Sequence, residues 1–389
     1  MIGFGQQTYV PDDNFESYLE SNGMGNGISD DSVNTASIDT LTSLIIPGQN
    51  INDLTGIEAF TDLTYLNCYA NNISSSLNLS NNTALIELNI ADNNISNLDI
   101  SANNLLEKLV CYFNHNLLNL NVTNNTALTY LDCEHVGITN LDLSNNTSLT
   151  YLDCNDNNLT SLDISANTLL EELYCNKNQL TNLDVSNNPQ LEELNCFENA
   201  LISLDVSNNV FLQELGCAGN QITNLNVSTN TDLTYLECQY NNLTILDVSI
   251  CTSIKELYCF NNNLTNLDVS TNVLLEELGC GNNQLTNLEL RNSNNSNLDW
   301  LDCTNTPNLT CINVDDVSWA TANWTVSNGN IDSHHYFSNN CSGTAIEEYF
   351  IKKELLKITD LLGREIKQTN QPLFYIYDDG TVEKIIIIE

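Results

Sequence analysis

Eight cysteines, Cys133, Cys154, Cys175, Cys196, Cys217, Cys238, Cys259 and Cys280, stand 21 residues apart, each two residues after a leucine. Cys68, Cys111 and Cys303 occupy the same slot. Thiols in this number suggest disulfides, metal ligation or nucleophilic chemistry. Their placement argues otherwise. No two of the fourteen cysteines form the Cys-x-x-Cys spacing that puts a pair of thiolates on one zinc ion. The slot holds Ile90 in one repeat, so it is an apolar slot, and its cysteines read as small buried hydrophobes with free thiols. The four histidines, His115, His135, His334 and His335, show no ligand spacing with Cys, Asp or Glu. His334 and His335 are expected at the surface. A glycine-rich phosphate loop and a G-x-S-x-G elbow are both missing from the sequence. No catalytic residue, metal ligand or cofactor is assigned, and the chain is not expected to be an enzyme.

The residues left with chemistry to offer are exposed aromatics set among acids: Tyr130, Tyr151, Tyr174, Phe197, Tyr235, Tyr240, Tyr258 and Phe260. Aromatic rings bring large contact area at low entropic cost, and they dominate recognition surfaces. Tyr235, Tyr240, Tyr258 and Phe260 form the densest group. The competing reading is that aromatics simply suit exposed strand positions.

A repeating unit must position these side chains. Leu149-Thr-Tyr-Leu152-Asp-Cys154-Asn-Asp-Asn157-Asn-Leu159-Thr-Ser-Leu162-Asp-Ile164-Ser165-Ala-Asn167 is one such unit. Twelve units, from Leu63 to Leu298, begin 21 to 23 residues apart, after a divergent one at Leu41. Leu152-Asp153-Cys154 alternates with the period of a strand, Leu and Cys inward and Asp outward, and Leu162-Asp163-Ile164 repeats the pattern on the opposite side. Each coil is thus expected to supply two short strands and two turns. One coil cannot bury its apolar set alone, whereas stacked coils can. At the spacing of parallel strands, a dozen coils extend for about 55–60 Å. Positions 3, 5 and 7 of each unit are expected to face solvent. The asparagines at Asn157, Asn178, Asn199, Asn220, Asn241, Asn262 and Asn283 are expected to satisfy backbone groups that the turn leaves unpaired. The many Asn-x-Ser/Thr triplets follow from the same repeat rather than from glycosylation.

The first half of the unit, L-x-x-L-x-C-x-x-N-x-L, resembles the leucine-rich-repeat family, with Cys at the third apolar position. Its second half, L-D-V-S-x-N, resembles the short irregular class of bacterial surface proteins. The resemblance covers residues 41–314. It implies a leucine-rich-repeat solenoid of the α/β horseshoe class, dominated by parallel β-strands.

An open solenoid exposes its core at both ends, so caps are required. Residues 9–40, with Pro11-Asp-Asp-Asn-Phe15-Glu-Ser-Tyr18-Leu19, read as a helical N-terminal cap. Residues 1–8 read either as the remnant of a signal peptide, with Gln6 as the mature start, or as an ordinary chain end. Residues 315–345 read as a C-terminal cap. Cys311 and Cys341 lie off the 21-residue ladder, and a disulfide between them is a candidate closure for that cap in an exported protein. Residues 346–389 carry six of the ten basic residues and no repeat. They read as a short β tail of three strands with turns at Gly363 and Asp379-Gly380. This tail resembles the C-terminal sorting domain of type IX secretion cargo in Bacteroidota, through Asp360-Leu-Leu-Gly-Arg364, an aromatic strand and a final apolar strand. That resemblance implies export, and release or attachment at the outer cell surface. A small β cap is the alternative.

Charge narrows the partner. Fifty acidic residues against 10 basic give a net charge of −40, which argues against nucleic acid and against anionic membranes. No apolar run is long enough to insert in a membrane. On the second side of the coil, Asp99, Asp142, Asp163, Asp184, Asp205, Asp247, Asp268 and Glu289 form an acidic ladder. Rows of oxygen ligands could hold a structural Ca²⁺, yet no Asp-rich calcium loop is present, and a solvated acidic face is the simpler reading. The functional expectation is a secreted or surface-attached, monomeric binding module that recognises a protein or glycan through its exposed strand face. The alternative is a passive structural or adhesive acidic rod with no dedicated site.

Overall fold

The structure, a computed structural model, describes residues 6–74, 77–341, 355–359, 373–377 and 382–385. It divides into two compact units, Met1–Asn339 and Asn340–Glu389.

The larger unit is a stack of short parallel strands, one per coil, in a 13-stranded sheet. The sheet begins at Ser43–Ile45 and ends at Trp300–Asp302, with strands such as Tyr151–Asp153, Glu172–Tyr174 and Glu256–Tyr258 between them. Equivalent residues of neighbouring coils lie in register: Leu152 faces Leu173, and Leu173 faces Leu194. The Leu and Cys of each strand turn inward. Leu152 and Cys154, like Leu173 and Cys175, are fully buried. One continuous core therefore runs along the stack, as the repeat requires. The parallel β solenoid of leucine-rich-repeat type anticipated from the unit is the fold observed, with few helices.

The second side of the coil departs from expectation. Among the described residues, parallel strands form there only near the two ends, at Leu77–Asn78 with Leu98–Asp99, and from Asn266–Asp268 through Asn287–Glu289 and Cys311–Asn313 to Tyr336–Ser338. In the middle coils, Leu162-Asp163-Ile164 and its equivalents form no strand pairs. Asparagine side chains link the coils there instead. Asn167 Nδ2 donates to Leu143 O at 3.2 Å and to Asn146 O at 2.8 Å, and Asn188 repeats this one coil on. These amides are fully buried. The parallel winding also continues past residue 314, because Tyr336–Ser338 pairs with Cys311–Asn313.

A second asparagine column closes the turn after each strand. Asn157 Nδ2 donates to Cys133 O and Cys154 O at 2.9 and 3.0 Å, while its Oδ1 accepts from the Gly137 and Ile138 amides. One side chain thus satisfies backbone groups of two coils. The residue just before it turns left-handed, as at Asp156 (φ 50°), Lys177 (φ 52°) and Tyr240 (φ 55°). Only Asn, Asp and Gly adopt this region readily, so the amide network holds the other residue types in it.

At the N-terminus, helix Asp13–Ser21 starts at Asp12, whose carboxylate accepts from the Asn14 and Phe15 amides. Its buried Phe15 stacks on Phe60, 6.3 Å between centroids, over the first coil. At the C-terminal side, helix Val317–Asn323 brings Trp319 against Trp324, which meets Phe337. The second unit contains an antiparallel sheet of Leu355–Thr359, Leu373–Tyr377 and Val382–Ile385. The turns expected at Gly363 and Asp379-Gly380, the segment Asp360-Leu-Leu-Gly-Arg364 and residues 1–5 lie outside the described residues.

Candidate functional site

On the strand row, the candidate aromatics separate into two clusters. In the first, Tyr130 and Tyr151 occupy equivalent positions of adjacent strands. Their rings stack at 4.0 Å with planes 4° apart, and Tyr174 continues the row at 5.6 Å from Tyr151. Lys108, one coil earlier, holds its Nζ 4.2 Å above the Tyr130 ring, a cation–π contact. The Tyr174 hydroxyl donates to Glu172 at 3.0 Å and also to Glu193. Burial, then these carboxylate partners, raise the Tyr174 pKa, so the hydroxyl stays a donor.

Position 5 of this cluster was expected in solvent and is not. Asp132 is buried and Asp153 half-buried, side by side in register. Position 5 is the middle column of the row, flanked by the side chains of positions 3 and 7, and these exclude water from it. Burial lifts Asp132 to about 6 and Asp153 to about 7, although the Glu134 and Asn155 amides donate to them.

The second cluster joins Tyr235, Tyr258 and Trp300. Tyr235 and Tyr258 lie 5.9 Å apart, and Tyr258 and Trp300 5.8 Å. Strand Glu277–Gly279 runs between the last two, and Gly279 explains how they meet across it. A Cβ there would stand 3.0 Å from Phe260 Cδ1 and 3.0 Å from Trp300 Cζ3. The bare backbone lets both rings lie down on the strand. Phe260 in turn meets Tyr240 edge-on at 5.3 Å. The Tyr235–Tyr258–Trp300 trio and the Tyr240–Phe260 pair thus flank Gly279, against which Phe260 and Trp300 both lie, as an aromatic platform, and its rim is acidic: the Tyr258 hydroxyl donates to Glu256 at 3.0 Å and also to Glu277. Trp300 and Tyr240 are well exposed. Phe197 joins neither cluster among the described ring contacts. Lys108 and Trp300 were absent from the candidate set. Gly279 inside a strand was the signal available for Trp300, because a strand glycine marks close approach.

The remaining reactive groups are accounted for structurally. Twelve cysteines are free and buried. Burial raises the Cys68, Cys196 and Cys259 thiols to about 12, far from nucleophilic. Cys251 stands where the second side of the coil carries Asn, and its Sγ lies 3.5 Å from Val227 O, the kind of carbonyl an Asn amide serves elsewhere. Cys311 and Cys341 are disulfide-bonded. In the acidic ladder, each Asp caps its own turn: Asp99 accepts from the Ser101 amide and hydroxyl, and Asp142 from those of Ser144. These hydrogen bonds, the serine hydroxyl first, lower the pKa of both carboxyls.

Asp332, His334 and His335 bring one ligand atom each to within 4.8 Å of one another. His335, expected at the surface, is buried. It packs against Thr306 and serves the turn at Asp332. Its Nδ1 accepts the Asp332 amide at 3.1 Å, and its Nε2 lies 3.2 Å from the Thr306 hydroxyl. With Nδ1 accepting, the proton of the neutral ring sits on Nε2, beside Thr306. Burial lowers the pKa and keeps the ring neutral.

No protein-family model and no curated protein matches the chain. Solved structures do. The functional domain of InlJ from Listeria monocytogenes, described as including a cysteine ladder, is 29% identical, with 99% of each chain covered and a TM-score of 0.70. The internalin InlF of the same organism is 22% identical over 86% of this chain and 97% of its own, with a TM-score of 0.67. The leucine-rich-repeat ectodomain of an Arabidopsis thaliana receptor kinase, solved in complex with Casparian strip integrity factor 2, is 22% identical over 70% of this chain and 37% of its own, with a TM-score of 0.51. The chain is a leucine-rich-repeat solenoid, similar along nearly its whole length to a bacterial internalin domain that also carries a cysteine ladder.

Proposed function

We propose that the chain is a recognition module that binds a protein or glycan partner outside the cell through its strand row, and that it is not an enzyme. One observation carries the reading. Outward aromatics, the Tyr235–Tyr258–Trp300 trio and the Tyr240–Phe260 pair, gather around Gly279 with an acidic rim, on strands held rigid by a continuous core. A passive acidic rod needs no such gathering, because its surface would be uniform from coil to coil. The fold is used for ligand recognition in the plant ectodomain that was solved with its factor bound. The tail's resemblance to type IX sorting segments supports an outer-surface or secreted location. No described helix is long and apolar enough to cross a membrane. The test is capture by the immobilised full chain, at physiological salt, from a defined panel of glycans and surface proteins. The reading requires saturable binding that Tyr235→Ala with Tyr258→Ala abolishes. Binding that only tracks ionic strength would favour the rod.

A further inference from the structure

We infer that the partner presents an arginine side chain to the platform of Tyr258, Phe260 and Trp300, with Glu256 and Glu277 as its counter-charges. This rests on the reading of the strand row as a recognition surface and names the chemistry recognised there.

The first argument is the molecule's own precedent. At the other cluster, Lys108 already seats its ammonium 4.2 Å above Tyr130. The row therefore accommodates a cation above an aromatic ring beside carboxylates. Among the described residues, no Lys or Arg is seated on the rings of the second cluster. Within residues 6–341 the Lys and Arg residues are Lys108, Lys177, Lys255 and Arg291. Lys177 sits at a turn, Arg291 is held by Glu289 on the other side of the coil, and Lys255, in an exposed position, makes no ion pair among the described residues.

The second argument is charge. Glu256 and Glu277 face each other in register on adjacent strands, where like charges repel. They share one neutral donor, the Tyr258 hydroxyl. A cation above them relieves that repulsion, and the net charge of −40 draws cations toward the face. Arginine suits the site better than lysine. Its planar guanidinium stacks on the Trp300 and Tyr258 rings while its fork serves two carboxylates.

The third argument is an internal comparison. Tyr174 donates to Glu172 and Glu193 just as Tyr258 donates to Glu256 and Glu277. Its neighbour in register, however, is Asn195 in place of Gly279, and no tryptophan follows. The hydroxyl–carboxylate arrangement thus recurs without the platform, so the platform is an addition that the repeat does not require.

The full chain would be titrated with acetyl-Gly-Arg-Gly-amide, with its citrulline counterpart and with a neutral methyl glycoside, followed by tryptophan emission and calorimetry. The inference expects saturable binding of the arginine peptide, about tenfold tighter than the citrulline peptide. Trp300→Ala should abolish it and Glu277→Gln weaken it several-fold, while Ile202→Ala, at an exposed residue outside both clusters, leaves it unchanged. Equal binding of the arginine and citrulline peptides overturns the inference, as does an arginine affinity indifferent to Trp300→Ala. Thermal unfolding of each variant confirms that it is folded. A glycoside that binds in place of the peptide and is lost with Trp300→Ala overturns the arginine assignment yet leaves recognition by the strand row standing. Partner binding that survives both Trp300→Ala and the Tyr235/Tyr258 substitutions would instead remove the recognition reading itself.

Discussion

Tyr258 and Trp300 lie 5.8 Å apart, ring to ring, although a whole strand separates their own, because the residue between them is Gly279. The platform thus depends on a missing side chain as much as on the rings. Gly279→Ala places a methyl group at 3.0 Å from carbons of Phe260 and Trp300, which forces the rings to tilt. Trp300 is exposed and can move, so the cost to stability is small, about 1 kcal/mol or less. The expected outcome is a changed near-ultraviolet dichroism from the aromatic rings and weakened partner binding, with the melting temperature little altered. Unchanged binding would show that the platform geometry is immaterial.

Stability should depend on pH through Asp132 and Asp153. An unfolded aspartate titrates near 4, while burial lifts these two to about 6 and about 7. Between those values the folded chain keeps protons that the unfolded chain has released. The contribution of these two groups to stability is therefore fully present below about pH 4, is lost as pH rises toward 7, and levels off above. Asp132→Asn with Asp153→Asn should flatten that slope and raise stability at pH 8 by about 1–3 kcal/mol, discounted for partial exposure. The side-chain oxygen still accepts from the Glu134 and Asn155 amides. Urea unfolding at pH 4.5, 6 and 8 measures it, and parallel slopes for the two proteins would refute the burial argument.

How much of this was legible beforehand follows from what a period can encode. Alternation in Leu152-Asp153-Cys154 specifies a strand and its buried face, so the stack, the register and the buried thiols could be read from the unit. The periodicity says nothing about which outward residues meet. Asp132 and Asp153 look solvent-exposed in the repeat, and only the flanking columns bury them. Trp300 was visible at an outward position, yet its union with Tyr258 depended on Gly279. The second strand of the coil was over-read, because Leu-Asp-Ile patterns are also satisfied by an extended segment tied by Asn167-type amides. His335 was misplaced because adjacent polar residues in an irregular segment carry no periodicity to orient them.

The buried asparagines on the second side of the coil should be among the costliest positions to truncate. Asn209→Ala leaves Val185 O and Asn188 O without the amide that serves them now, at about 2–4 kcal/mol. Asn209→Cys should cost less, since Cys251 already fills the equivalent slot, with its Sγ 3.5 Å from Val227 O. Chemical denaturation ranks the two variants, and an equal or reversed order would refute the substitution logic.

The thiol ladder should be inert until the chain unfolds. The twelve free cysteines are buried, and their pKa values are raised by burial. A thiol reagent at pH 8 should label none of them in the native state and all twelve in denaturant without reductant. Cys196→Ser should destabilise by about 1–3 kcal/mol, because a hydroxyl in that slot has lost its water. Rapid labelling of the native chain would contradict the burial of the ladder.

The most direct test of the account is the affinity of the full chain for a partner captured from the defined panel, compared with that of the Tyr235→Ala, Tyr258→Ala double variant in the same buffer. The account predicts saturable binding by the first and a loss of about a hundredfold or more by the second, with both proteins equally folded, as expected when two central aromatics are truncated. Equal affinities, or binding by both that simply fades with added salt, would contradict recognition through the strand row.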